Sequence, residues 1–154
     1  ESLLNKILAE FPVGFDFRED SFGLLGDINV FRKDFDKAIE YYKINLSLDP
    51  NLRGVTYLSF CTLIVKLGKT EEYDYAESLL TSRVDYDPFP ATQYVICSLL
   101  SIINRYNGKS AEADHFARRA DEHAAKEKSG IPYRQGLGVV LQRDPELDRL
   151  VQEQ

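Results

Sequence analysis

Two histidines, His115 and His123, have the widest chemical range of any residues in this chain, because a neutral imidazole binds metals and moves protons near neutral pH. They stand eight residues apart in one predicted helix, about 12 Å along its axis, too far to share a metal ion. A His-x3-His pair, which would bring both rings to one helical face, is absent. The acidic pairs Glu71 and Glu72, Asp85 and Asp87, and Glu112 and Asp114 invite an acid–base reading. Carboxylates one or two residues apart on a helix point in different directions, and no base or nucleophile accompanies them. They read as solvated surface. The chain has no phosphate-binding loop, dinucleotide glycine pattern, nucleophile elbow or zinc spacing, and Gly136 and Gly138 make only a lone Gly-x-Gly. The expectation is a chain that is not an enzyme and binds no metal or cofactor.

Composition narrows the partners. Of 154 residues, 44% are apolar and 29% charged, the balance of an ordinary soluble domain with a real core. Lys and Arg number 19 against 25 Asp and Glu, a net charge of −6. That sign argues against phosphate backbones, which need clustered cations, and against anionic membranes. No apolar run approaches the roughly 20 residues that cross a bilayer. Cys61 and Cys97 both lie in apolar stretches, so they read as small buried hydrophobes in a reducing, cytoplasmic setting rather than as a disulfide framework. The chain begins at Glu1 without a leader, which suggests a processed form or an excised piece and is compatible with a removed signal peptide.

What positions these residues is a recurring unit. DFDKAIEYYKINLSLDPN carries Ala38, Tyr42 and Pro50; DYAESLLTSRVDYDP carries Ala76, Leu80 and Pro88. Both Ala76 and Pro88 fall 38 residues after their counterparts, and Ala113 falls 37 after Ala76. A second apolar helix precedes each alanine: SFGLLGDINVF, VTYLSFCTLIVKL and TQYVICSLLSIINRY. Gly68 and Gly108 fall in the joining turns of the second and third units. The unit is therefore a helical hairpin. Small residues (Gly26, Ala38, Cys61, Ala76, Ser101, Ala113) are predicted where helix axes approach to about 8–10 Å. Larger ones such as Leu25, Tyr42, Phe60, Leu80 and Leu100 are predicted to fill the gaps. Pro50 and Pro88, lacking an amide hydrogen, are expected to end the second helix of their hairpins.

Phe22, Leu25-Gly26, Phe35, Ala38, Tyr42 and Asp49-Pro50-Asn51 resemble the tetratricopeptide repeat signature, with Phe22 where that family prefers Trp and Asn29 where it prefers Tyr. The match is strongest over residues 19–52. The copy over 54–88 carries an insertion around Thr70 to Tyr73, and the copy over 91–125 lacks a closing proline. The resemblance implies an all-α solenoid of about three hairpins over residues 19–127. Residues 1–18 would form an N-terminal capping helix or partial repeat, with Leu3, Leu4, Ile7, Leu8 and Phe11 on one face. Residues 128–154 would form a C-terminal capping segment. Within it, 131–142 reads as a short apolar helix or turn. Asp144 reads as an N-cap and Pro145 as the first residue of a final helix with a Leu147, Leu150 and Val151 stripe.

The resemblance also implies a concave surface lined by the first helix of each hairpin: Phe31, Val55, Leu58, Thr62, Val65, Val95, Ser98, Ile102, Arg105 and Tyr106, with Asp27 beside them. The Lys/Asn/Arg clamp of family members that hold a carboxyl-terminal tail is missing, since Gly23, Asp27, Ser59, Val95 and Leu99 occupy its positions. An apolar groove suits an amphipathic helix or an apolar peptide from a protein partner. The competing expectation fills the groove with the chain's own 131–141 segment. The chain is then a spacer or self-associating unit of a larger protein, joined through its terminal helices.

Overall fold

The computed structural model describes residues 6, 16–48, 51 and 54–153, and among them every regular element is helical. Seven α-helices follow in order: α1 (Asp16–Phe31), α2 (Phe35–Leu48), α3 (Thr56–Leu67), α4 (Tyr73–Thr81), α5 (Pro90–Tyr106), α6 (Ser110–Ala124) and α7 (Pro145–Gln152). Apart from Lys6, which is helical, the helix expected over residues 1–11 lies outside the described residues, as does the turn at Pro50. The chain divides into two compact units, Glu1–Leu63 and Ile64–Gln154.

In the first unit α1 and α2 form an antiparallel hairpin around a notch and a ring. Gly26 on α1 lies against the Tyr42 side chain of α2, and a Cβ built on Gly26 would meet the ring at 2.2 Å. Only a residue without a side chain lets the ring in. Tyr42, 2% exposed, donates from its hydroxyl to Asp27 Oδ1 at 2.6 Å, and Ser59 of α3 bonds to the same hydroxyl. Burial and the Asp27 carboxylate push that hydroxyl well above its ordinary titration range. Ala38 is fully buried on the same face.

In the second unit α5 is central. It is buried on almost every side from Gln93 to Asn104, as expected for a helix covered all round. Its polar residues turn inward on the backbone: Ser98 Oγ donates to the Tyr94 carbonyl at 2.8 Å, and Asn104 Nδ2 to that of Leu100 at 2.8 Å. Ser101 Oγ donates across to the Ala113 carbonyl of α6 at 2.9 Å, marking the close crossing of that hairpin. All six small residues predicted at crossings are buried.

The three hairpin turns share one geometry. Lys33, Gly68 and Gly108 take positive φ of 63°, 64° and 73°. Each donates its amide to the carbonyl three residues back, and the following amide reaches five residues back. These are left-handed helix ends of the Schellman kind. Asn29 and Asn104 stand four residues before two of them, and each side chain bonds the carbonyl four residues earlier. The insertion around residues 70–73 proves to be one 3-10 turn, Thr70–Glu72, placed between Gly68 and α4.

One expectation fails locally. α4 stops at Thr81, seven residues before Pro88, and residues 82–86 form turns. Ser82 Oγ bonds the Leu79 carbonyl, the local competition by which a short polar side chain ends a helix, and Val84 tucks back at 6% exposure. Pro90 starts α5 instead. Residues 131–142, read as a short apolar helix or turn, form turns and bends.

Two outcomes follow. Gly26→Ala gains about 1 kcal/mol of helix propensity but must displace the Tyr42 ring. The clash wins, and urea unfolding will show a net loss of about 1–3 kcal/mol. Lys33→Gly relieves a side chain held at positive φ and will stabilise by about 0.5–1 kcal/mol in the same assay.

Candidate functional site

The sequence-predicted groove residues scatter in exposure. In the first unit Phe31 is 90% and Val55 73% exposed, while Leu58 and Thr62 are half-buried on α3. In the second unit Val65, Ser98 and Ile102 are buried, Val95 and Arg105 half-buried, and Tyr106 exposed. Burial at 1% makes Ile102 a core residue, so it offers nothing to a docked chain. Arg105 pairs with Asp114 at 2.6 Å, and Tyr106 meets the Tyr73 ring of α4 edge-on at 5.1 Å.

The face of α5 that carries Tyr94 and Ser98 is occupied by α7. Leu147, 1% exposed, is the buried apolar anchor of this helix. Polar contacts surround it. Lys66 Nζ lies 2.7 Å from Asp144 Oδ2 and 3.1 Å from Glu146 Oε2. The Tyr94 hydroxyl donates to Asp148 Oδ1 at 2.8 Å and accepts from the Asp144 amide at 3.1 Å. Arg143 bridges Asp148 and Asp121 of α6 at 2.8 and 2.7 Å, its guanidinium 5.4 Å from the Tyr94 ring centre. Asp144 caps α7, accepting from the amides of Glu146 and Leu147. The predicted occupant, 131–141, does not take this place: Leu141 stays 93% exposed and Leu137 48%. Its contact with α5 is at the end, where the Ala91 amide donates to the Gly138 carbonyl at 2.7 Å.

Magnitudes rank these contacts. Burying Leu147 contributes about 1.5–3 kcal/mol. Each half-exposed ion pair adds about 0–1 kcal/mol, and the Asp144 cap about 1 kcal/mol. The attachment is therefore modest, and a 60 Å³ gap remains between Ser98, Ala117 and Val151. Burial pushes the Asp144 carboxyl up, but the Lys66 ammonium and the two amides outweigh it and hold it below the usual carboxylate range. Burial, then the bond to Asp148, pushes the Tyr94 hydroxyl up to about 12.

A second feature was not visible in the sequence. A 310 Å³ cavity is lined by Asp85, Gln93, Arg119, His123, Lys126 and Lys128, among others. Its charges engage one another: Arg119 lies 3.1 Å from Asp85, and Lys126 Nζ 3.2 Å from His123 Nδ1. Burial, then Lys126 and Arg119, holds His123 below its ordinary titration range, so it is neutral at pH 7. Both cysteines are buried and neither is in a disulfide, and burial raises both thiols, that of Cys97 to about 11. Among the described residues no three His, Cys, Asp or Glu converge in a metal-binding group, and no helix is long and apolar enough to cross a membrane. Comparison with family models, curated proteins and solved structures returns no match.

Because the folded Asp144 carboxyl titrates low, its share of stability is present above the ordinary carboxylate pKa, about 3.9, and is lost as pH falls through its lowered value. Tyr94 acts at the other end, its share fading as pH rises from about 10 to 12. Asp144→Ala will speed amide exchange in α7 about tenfold at pH 6 and leave α2 unchanged, as read by hydrogen-exchange mass spectrometry.

Proposed function

We propose that the chain is a tetratricopeptide-like solenoid that acts as a non-catalytic interaction module, docking a peptide or helix of a protein partner on the first-helix faces of its hairpins. The observation that carries the reading is the apolar surface left in water on and beside these helices in the first unit. Leu24 and Phe31 on α1 are 52% and 90% exposed, and Val55 at the entrance to α3 is 73% exposed. Apolar side chains on a rigid helical frame are what a docked peptide uses as anchors. The small-residue crossings and repeated left-handed turns support the repeat family. No cofactor enters this reading, and the net charge of −6 argues against a nucleic-acid partner. Two buried cysteines outside any disulfide fit a reducing, cytoplasmic setting.

The second reading is an architectural spacer or self-associating domain whose docking face is filled from within. The seating of α7 on α5 favours it.

Charge placed on the exposed residues separates the readings. A Phe31→Glu, Val55→Glu double variant, folded by circular dichroism, will lose at least tenfold of its affinity for a partner captured by the wild-type chain. Unchanged affinity would remove the first unit from the docking surface. A concentration-independent monomer by light scattering would remove self-association.

A further inference from the structure

The α7 segment fits its place as a ligand fits a site. Its contacts fall in a short linear pattern: Arg143 reaches Asp121, Asp144 and Glu146 meet Lys66, Leu147 is buried, and Asp148 takes the Tyr94 hydroxyl. Lys66 sits on α3, Tyr94 on α5 and Asp121 on α6, so three helices read one stretch of six residues. The charges are complementary at each end, acids of the segment to Lys66 and its arginine to Asp121.

The hold on this segment is loose. Lys66 and Asp144 remain 27% and 32% exposed, Arg143 44%. Residues 125–144 connect α6 to α7 without a helix, and Tyr133 and Leu141 within them stand in solvent. One buried leucine and partly exposed ion pairs place such a segment toward the low-stability end of a fold.

We infer that α7 is a displaceable resident of this seat, and that the partner the seat takes is an amphipathic helix of the same chemistry, Arg-Asp-x-x-Leu-Asp. The inference rests on the reading of the chain as an interaction module and names its regulation in the second unit: the partner engages only by competing with α7. Tethering gives α7 a high effective concentration, so a free helix of equal fit binds the intact chain poorly.

The test uses the full chain and a fluorescein-labelled peptide spanning residues 142–153, read by fluorescence anisotropy. Leu147→Asp unseats the chain's own helix, and this variant will bind the peptide at least tenfold more tightly than the wild type. A variant that keeps its helical circular dichroism yet binds no more tightly would overturn the proposal. Should Leu147→Asp unfold, Lys66→Glu decides: it will prefer a peptide bearing Asp144→Lys and Glu146→Lys over the original at least fivefold. The reverse or no preference overturns the proposal. A wild-type dimer abolished by Leu147→Asp would also overturn it, in favour of α7 exchange between copies. This experiment reads the second unit alone, so it can fail while docking at Phe31 and Val55 stands, and the converse.

Discussion

The first hairpin depends on the fit of the Tyr42 ring into the space that Gly26 leaves. The distance at which two helices pack depends on the side chains at their contact, and here one side supplies none. The ring that enters also brings a hydroxyl, which would be stranded in an apolar contact without an acceptor. Asp27, next to the glycine on the sequence, provides that acceptor at 2.6 Å from the half-exposed edge of the crossing. Glycine, ring and carboxylate therefore form one device, and losing any member leaves the other two badly placed. In the second unit the same problem has a different solution. Ser101 and Ala113 make the close crossing, and the serine hydroxyl bonds the facing carbonyl.

Close pairing determines which surfaces stay open. Once α5 is enclosed by its neighbours, its side chains are interior, and the face it offers is small: Tyr94, Ser98 and their surroundings. Leu147 is buried there with Leu150 and Val151 half-buried beside it, and Lys66 and Asp121 pair with the charges of the α7 segment. Hydrophobic burial gives the attachment most of its strength, and the ion pairs give it register and direction. In the first unit the apolar side chains Leu24, Phe31 and Val55 stand exposed instead.

The hairpins were legible because they depend on local, periodic signals. Gly26, Ala38, Cys61, Ala76, Ser101 and Ala113 recur at repeat spacing and all lie inside, and Gly68 and Gly108 take the left-handed turn their residue type suggests. Lys33 takes the same turn unannounced, because a lysine carries no signal of positive φ. Pro88 misled because a proline limits where a helix can run without dictating where it stops. The seat of α7 was hidden for another reason. Asp144 and Leu147 read correctly as a cap and an apolar stripe, yet the partner Lys66 lies 78 residues away in sequence. No periodicity links the two. Ile102 and Ser98, assigned outward from their place on the helix, are covered by tertiary packing that the sequence does not encode locally.

The central claim, that ring and glycine interlock to close the first hairpin, is open to one direct measurement. In a proton NMR spectrum of the chain labelled with ¹³C-glycine, the Gly26 Hα resonances will be displaced upfield by the Tyr42 ring current and will show strong Overhauser contacts to its ring protons. Random-coil Gly26 shifts with no contact to Tyr42, in a chain that is otherwise folded, would contradict the account.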